Sequence, residues 1–371
     1  MRLRNNPILK KADRYLGIPL IWGMSVLKNR HNLPPATPRN FILMKTAAIG
    51  DTILLDAVIK EIRGQIQDAK ITIVCTKNNK GAVELLTGVN HIIDFHMGNP
   101  FVSFRELAEL PEFDCLMYFA PWAHINAIAC YFIKAKFKTG FATNGMYRHY
   151  LYDKAVIHRD DQHEMDNYRD VLRACNLEVH GLVPHFEVPV LPESGQKATY
   201  VIFHMFPGGA SALLRAWNKD KWLELAQRIR EKYDYAIYLT GGKEDAPNAA
   251  EMTEKLQNLN IEVKNYAGKL SLKDSCSLLK NARLLVTVNT GIMHMAAAVG
   301  TKIVALHGAT SITRWGPLSD TAKSVAVGLS CQPCISLGFE SKCTEPKCMK
   351  MISVPMVMAA IENVMKQQNS H

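Results

Sequence analysis

One texture recurs along this chain and limits what it can fold into: short apolar runs of four to six residues alternate with longer segments of helical periodicity. Such alternation builds a parallel sheet with crossover helices. In the first half the expected strands are Phe41–Lys45, Ile71–Cys75, Ile92–Phe95 and Cys115–Phe119, with a helix over Ile53–Ile66 whose Ile53, Leu54, Ala57, Val58 and Ile62 share one stripe. The pattern then breaks at a Pro/Gly-bearing stretch, GLVPHFEVPVLPESGQ, and restarts at Thr199–His204. The restart continues through Trp217–Lys232, Tyr235–Thr240, Glu244–Leu256, Leu272–Leu279, Leu284–Val288, Met293–Val299 and Ile303–Leu306. A chain of 371 residues has room for two such cores. The expected fold is therefore α/β, two Rossmann-like domains with a cleft between them. The expected boundaries are an N-terminal arm over 1–39, a first domain over 40–185, a linker over 186–198 and a second domain over 199–350. A helix within 351–371 is expected to return toward the first domain.

The formal net charge of +10 suggests a nucleic-acid partner until its position is considered. Residues 1–39 hold eight basic residues and one acid, whereas the other 332 residues hold 36 basic and 33 acidic groups. The excess belongs to the arm, and no nucleic-acid face is expected. Within the arm lies an apolar run, Leu16–Leu27, flanked by Lys10, Lys11 and Arg14 on one side and Lys28 and Arg30 on the other. It is shorter than the roughly 20 residues that a transmembrane helix needs. No small-residue cleavage site follows it, which argues against a secretory signal. An interfacial helix fits, with Trp22 and the aliphatic residues at the acyl boundary and the cations on anionic headgroups. A helix packed on the body of the protein fits as well.

Nine cysteines without an export signal are expected as free thiols in a reducing compartment. The last four, Cys331, Cys334, Cys343 and Cys348, follow a C-x2-C-x8-C-x4-C spacing that can wrap a structural zinc, or else pack as thiols.

Three loops carry the chemistry. The first strand runs into Lys45-Thr46-Ala47-Ala48-Ile49-Gly50-Asp51, where the carboxyl end of a strand places ligands in open α/β sheets. The loop matches neither the dinucleotide fingerprint nor the Walker A motif. Asp51 reads there as a helix cap or as a general base. In the second half, Pro207-Gly208-Gly209-Ala210-Ser211 exposes backbone amides to an anion, and Arg215 can donate a forked pair of hydrogen bonds to phosphate. Farther on, Asn289-Thr290-Gly291 joins a strand to a helix that carries His294 in its first turn, and the helix start offers amides and a dipole.

The stretches KTAAIGDTILLDAV, GGASALLRAW and VNTGIMHMAAAVGTKIVALHGATSITRWGP, together with the cysteine cluster, resemble glycosyltransferase family 9, the lipopolysaccharide heptosyltransferases, over roughly residues 40–365. The resemblance implies a GT-B architecture, with the acceptor on the first domain and a nucleotide sugar, ADP-heptose foremost, on the second. It implies inverting transfer without a catalytic metal or other cofactor. It places Asp51 on the family's base, Arg215 on a phosphate-binding lysine and Glu244 on a glutamate near the donor sugar. Gly208, Gly209, Ser211, Asn289, Thr290, Gly291 and His294 complete the expected donor site. Lys45, Ala48, Gly50, Arg148 and His163 are the expected acceptor contacts. Two departures stand out: Asn289 replaces an aspartate, and Arg215 replaces the lysine. The implied acceptor is lipid A core or a related anionic glycolipid, met at the cytoplasmic face of the inner membrane. A nucleotide-sugar epimerase or hydrolase of the same fold, and a zinc-bearing membrane adaptor, are the rival readings.

Overall fold

The computed structural model describes residues 7–28, 32–188, 199–209, 211–335 and 343–367, without the side chains of 7–10. The chain divides into two compact units, Met1–Val183 and Pro184–His371.

The first unit holds strands β1 (Asn40–Met44), β2 (Lys70–Cys75), β3 (His91–Asp94), β4 (Phe113–Tyr118), β5 (Ala135–Ala142) and β6 (Lys154–Ile157). Its helices are α1 (Pro7–Val26), α2 (Ile49–Ile53), α3 (Leu55–Gln65), α4 (Lys80–Val83), α5 (Pro100–Glu109), α6 (His124–Phe132) and α7 (Glu164–Ala174), with a 3-10 turn at Arg148–Leu151. The strands are parallel in the order β3-β2-β1-β4-β5-β6. In the second unit the strands are β7 (Tyr200–His204), β8 (Ala236–Leu239), β9 (Val263–Asn265), β10 (Leu284–Val288), β11 (Ile303–Leu306) and β12 (Ala322–Val325). Its helices are α8 (Lys219–Tyr233), α9 (Ala246–Asn258), α10 (Leu272–Asn281), α11 (Gly291–Ala298), α12 (Ile312–Trp315), α13 (Lys347–Met351) and α14 (Val354–Lys366). Its sheet order is β12-β11-β10-β7-β8-β9, so each unit repeats one doubly wound plan counted from its own first strand. Strand order reverses between β1 and β4 in one unit and between β7 and β10 in the other. A crevice opens outside the carboxyl ends of the strands at such a reversal, and the loops singled out from the sequence follow β1, β7 and β10.

Every strand expected from the sequence forms within two residues of its expected bounds. Four strands were not anticipated: β9 and β12 of the second sheet, and β5 and β6 of the first. β5 and β6 carry Lys136, Lys138 and Lys154, which interrupt the apolar pattern. The cations of β5 are satisfied locally: Lys136 reaches Asp114 at 2.7 Å, and Lys138 donates to the Cys130 and Tyr131 carbonyls at 2.9 Å each. The helix expected over Ile53–Ile66 begins earlier and breaks at Leu54 into α2 and α3.

The arm is part of the first unit. Ile21 of α1 is fully buried in the core formed by Ile42, Met44, Leu116, Tyr118 and Ala127. Gly17 lies so close to α6 that a Cβ there would overlap the His124 side chain. Asp13 accepts hydrogen bonds from the backbone amides of His124 and Ile125 at 2.9 Å each, supplying the cap that Ala123 lacks at the positive end of α6.

The division between units falls just ahead of the expected linker. Phe186 already belongs with the second unit, donating its amide to Ala298 at 2.8 Å, and residues 189–198 lie outside the described ones. In the closing helix α14, Val357, Ile361 and Val364 sit in the second unit's core with Phe203, Trp222 and Val286.

Candidate functional site

In the first unit, β1 delivers Lys45 to the floor of its crevice and the following turn carries Asp51 back over it. Lys45 is 1 % exposed, and its ammonium donates to Asp51 Oδ2 at 2.9 Å and to the Phe119 carbonyl beyond β4 at 2.8 Å. It also stands 5.5 Å from the Tyr168 ring centre, while the Tyr168 hydroxyl donates to the Asp51 carbonyl at 3.3 Å. The Asp51 side chain retains 20 % exposure, and no described residue hydrogen-bonds its Oδ1. Asp51 is not the helix cap: Ala48 occupies that position, and no side chain caps α2. Ala48 itself has φ 69, a left-handed conformation rare without glycine. The turn is held there from below. Asn79 donates to the Lys45 carbonyl at 2.8 Å and to the Thr52 hydroxyl at 3.0 Å, the Thr76 hydroxyl donates to the Thr46 carbonyl at 2.7 Å, and Asn126 reaches the Thr46 hydroxyl. Gly50 is buried in the same turn.

Three expected acceptor contacts have other work here. Arg148 is fully buried, and its guanidinium donates to the Ala120 and Trp122 carbonyls at 2.8 and 2.9 Å and to the Thr143 hydroxyl at 3.3 Å. It therefore braces the loop after β4 and has no donor turned to solvent. Lys45 is likewise occupied by Asp51 and acts as its anchor. His163 caps α7, its Nδ1 accepting from the Met165 amide at 3.0 Å.

In the second unit, one guanidinium ties together two of the sequence-predicted loops. Arg215 donates to the Asn289 carbonyl after β10 at 2.8 Å and to the Gly208 carbonyl after β7. Gly208 and Gly209 are exposed, Ser211 is half-buried, and Gly209 has φ 91, a conformation that suits glycine. Thr290 takes the first position before α11 without a side-chain cap bond, which leaves the amides of that turn uncapped by their own residue. Its hydroxyl lies 3.4 Å from that of Thr287, which bonds the His204 carbonyl at 3.2 Å. Gly291 opens α11 and His294 is buried on its first turn. Glu244 is exposed in the Lys243–Asp245 turn after β8, the strand beside β7. Burial lowers the His204 and His307 imidazoles to about 4, so both are neutral at pH 7. Asn289 Nδ2 stands 3.2 Å from His307 Nδ1, so the residue replacing the family aspartate meets a neutral partner.

Sequence reasoning missed Tyr168, Asn79, Asn126 and His307. Each sits on an ordinary helical stripe, in a polar loop or at a strand end, and only the tertiary fold brings it to these turns.

Of the two readings of the cysteine cluster, structural zinc or packed thiols, the zinc one gains no support. Among the described residues no group of three or more His, Cys, Asp or Glu side chains is arranged to hold a metal. Cys348 is buried against Gly308 and Met349, whereas Cys331 is exposed and Cys343 bonds the Glu345 carbonyl at 3.1 Å. Burial, followed by the neighbouring thiols of Cys334, Cys343 and Cys331, raises the Cys348 thiol above its ordinary range.

Two doubly wound units, one with a carboxylate on a lysine floor and the other with amides and an arginine gathered at its strand reversal, define a two-Rossmann α/β protein of the GT-B class. The sequence of residues 120–346 matches the family described as glycosyltransferase family 9 (heptosyltransferase), and the chain belongs to that family. It is 29 % identical over 187 residues to lipooligosaccharide heptosyltransferase 2 of Campylobacter jejuni, covering 50 % of this chain and 56 % of that protein. The chain thus spans about half the length of that curated relative. Its fold is shared with the ADP-heptose lps heptosyltransferase II of E. coli, at TM-score 0.69 and 19 % identity over 88 % of this chain and 98 % of that one. E. coli heptosyltransferase WaaC with ADP-2-deoxy-2-fluoro heptose has TM-score 0.66 and 15 % identity, covering 87 % and 99 %. The family match takes in the donor-side loops and stops short of the Asp51 turn, so a role for Asp51 rests on its geometry.

Proposed function

We propose that this chain is an inverting heptosyltransferase that moves heptose from ADP-heptose to a lipopolysaccharide core acceptor, with Asp51 as general base. One observation carries this reading: the Asp51 carboxylate has one oxygen anchored by Lys45 at 2.9 Å and the other open, at the carboxyl end of β1. Oδ1 accepts the proton of an acceptor hydroxyl as that oxygen attacks the anomeric carbon. The nucleoside diphosphate departs from the opposite face, and the configuration inverts. Charge on the leaving diphosphate is met by Arg215 and by the Thr290 and Gly291 amides, as preorganised donors rather than a metal ion. Gly208, Gly209, Ser211, Glu244 and His294 line this donor site, and no cofactor is assigned. Heptose and ADP are favoured because the solved structures that share this fold include enzymes described with ADP-heptose or its fluoro analogue. The acceptor is a lipid A core intermediate or a related anionic glycolipid, approached through Ala48 and Gly50. The protein works from the cytoplasmic face of the inner membrane. No helix among the described residues is long and apolar enough to cross a membrane, so attachment is peripheral in this proposal.

The test is Asp51→Asn and Asp51→Ala assayed with a truncated core saccharide and ADP-heptose. General-base removal is expected to lower transfer by about 10²–10⁴-fold, with ADP affinity nearly unchanged. Near-normal turnover in both variants would remove Asp51 from the chemistry. Release of free heptose or of an isomerised nucleotide sugar, with no mass added to the acceptor, would instead favour the hydrolase or epimerase reading.

A further inference from the structure

Among the described residues of the first unit, none covers the outward face of α1. Tyr15, Leu16, Leu20, Trp22, Val26 and Leu27 are each more than half exposed, with Tyr15 at 72 %, Leu16 at 66 % and Trp22 at 63 %. Helices of soluble proteins normally bury their apolar stripe and expose polar residues. α1 does bury one stripe, through Gly17 and Ile21, yet a second, broader apolar face remains outside. Contiguous exposed apolar surface of this kind marks an interaction site.

Charge identifies what covers it. Lys11 and Arg14 are exposed on this helix, whereas its only acid, Asp13, is turned inward onto the amides of His124 and Ile125. Lys28, by contrast, is already paired with Asp153 at 3.0 Å. The outward surface is thus apolar with uncompensated cations, which suits an anionic bilayer. A second copy of the same face would set like charges against each other.

A second element extends the surface. The turn at Tyr147–Leu151 packs beside α1 and turns Arg148 inward, leaving Tyr147 and Tyr150 at 43 % and 41 % exposure. Tyr147 holds φ 52, a conformation costly for a bulky residue and sustained by the buried guanidinium next to it. Between the two elements runs an open groove of about 310 Å³ lined by Ile18, Pro19, Trp22, Tyr147 and Tyr150. Tryptophan and tyrosine rimming an apolar slot favour the boundary between headgroups and acyl chains.

We infer that α1 and the Tyr147–Leu151 turn form a bilayer-docking surface that lies flat on an anionic membrane, with one lipid acyl chain entering the groove beside Trp22. The inference depends on the transferase reading for its purpose, a membrane-borne acceptor, and on α1 alone for its geometry.

The test uses the full chain with vesicles of phosphatidylethanolamine and phosphatidylglycerol, or of phosphatidylcholine alone. Flotation with the anionic vesicles only is expected. Of the five tryptophans, Trp22 is the most exposed, so lipids brominated in mid-chain are expected to quench a fluorescence component that Trp22→Phe removes. Lys11→Ala/Arg14→Ala is expected to weaken vesicle binding by about 30-fold, at about 1 kcal/mol per cation near an anionic surface. Leu16→Glu/Leu20→Glu is expected to abolish binding without altering the melting temperature, since both side chains are exposed. Flotation with neither vesicle, wild-type binding by the double glutamate variant, or a dimer that this variant dissociates in the absence of vesicle binding would each overturn the inference. Transfer to a lipid-free core saccharide is measured in parallel on the unmodified protein. Vesicle binding without transfer overturns the transferase reading alone, and transfer without vesicle binding overturns this inference alone.

Discussion

Replacing Lys45 with methionine separates anchoring of the carboxylate from the carboxylate itself. Methionine fills most of the stem volume while removing two hydrogen bonds, one to the Asp51 carboxylate at 2.9 Å and one to the Phe119 carbonyl at 2.8 Å. The carbonyl keeps a long contact from the Tyr168 hydroxyl at 3.5 Å, and the carboxylate, at 20 % exposure, turns toward water. Both bonds come from an ammonium and are charge-assisted, about 1.5–3 kcal/mol each, but rehydration of Asp51 and removal of the cost of burying the Lys45 charge return much of the sum. The net loss is about 2 kcal/mol, or about 4–8 °C in the melting temperature of a unit of this size. The effect on turnover is larger than the stability loss implies, because a carboxylate released from its anchor is misplaced by about an ångström, which can cost about 100-fold. The expected result for Lys45→Met is a kcat reduced by about 10–100-fold with the donor KM nearly unchanged, because the donor loops lie in the other unit. In the double variant Lys45→Met/Asp51→Ala, turnover should equal that of Asp51→Ala alone, since the anchor has nothing left to hold. Wild-type kcat in folded Lys45→Met, or a double variant slower than Asp51→Ala by the full single effect, would refute anchoring. The second outcome would assign Lys45 a separate role at the acceptor.

Three further outcomes follow from other contacts. Arg215→Lys cannot bridge the Gly208 and Asn289 carbonyls with one ammonium as the planar guanidinium does, and ADP affinity measured by calorimetry is expected to fall about tenfold; unchanged affinity would remove the bridge from donor binding. His204 and His307 have folded values of about 4 against 6.5 when unfolded, so the unfolded chain binds more protons between those values. Their stabilisation is complete above about pH 6.5 and lost as pH falls toward 4, each imidazole costing about 2 kcal/mol at pH 5, and the second unit should melt several degrees lower at pH 5 than at 7.5, a drop that His307→Gln roughly halves. Glu61 is buried and accepts from the His180 and Leu182 amides at 3.0 and 2.9 Å; burial alone would raise its carboxyl, but these bonds prevail and hold it below its ordinary value. Its contribution is therefore present above the unfolded value and lost in acid, and Glu61→Gln is expected to cost about 2 kcal/mol in denaturant unfolding at pH 7.

The strands and the loops that follow them could be read from the sequence because burial on both faces of a parallel sheet writes apolar runs directly into it. The same reasoning fails at β5, where Lys136 and Lys138 stay in strand because Asp114 and two backbone carbonyls meet their ammonium groups. Side-chain roles were less accessible than side-chain positions. Lys45, Asp51 and Arg148 all looked like polar groups at the mouth of a crevice. Which of them faces outward is decided by partners far along the chain: Phe119 and Tyr168 for the first pair, Ala120 and Trp122 for the arginine. A basic residue near a strand end is equally suited to a ligand phosphate and to a row of backbone carbonyls, and local sequence does not distinguish the two. Arg215 shows the same ambiguity resolved differently, since the carbonyls it holds belong to the two loops that flank the strand reversal of its own sheet.

The arm makes the same point about faces. Its apolar run supports packing on the body and contact with a membrane, and these look like competing readings only if a helix is given one face. Ile21 and Gly17 commit one side of α1 to the core and to α6, while Leu16, Leu20 and Trp22 are left on the other. Burying Ile21 is worth about 1.5–3 kcal/mol, and Asp13 adds a helix cap, so the helix has reason to form before any lipid is present. A helix already ordered by its inner side does not lose the ordering entropy that a disordered segment loses on meeting a bilayer. The modest lipid affinity of one short apolar face and two exposed cations can then appear almost in full as binding. A peptide of residues 7–28 alone should accordingly bind the same anionic vesicles more weakly than the intact chain, and only on gaining helicity by circular dichroism. Equal affinity for peptide and protein would show that the inner face contributes nothing to docking.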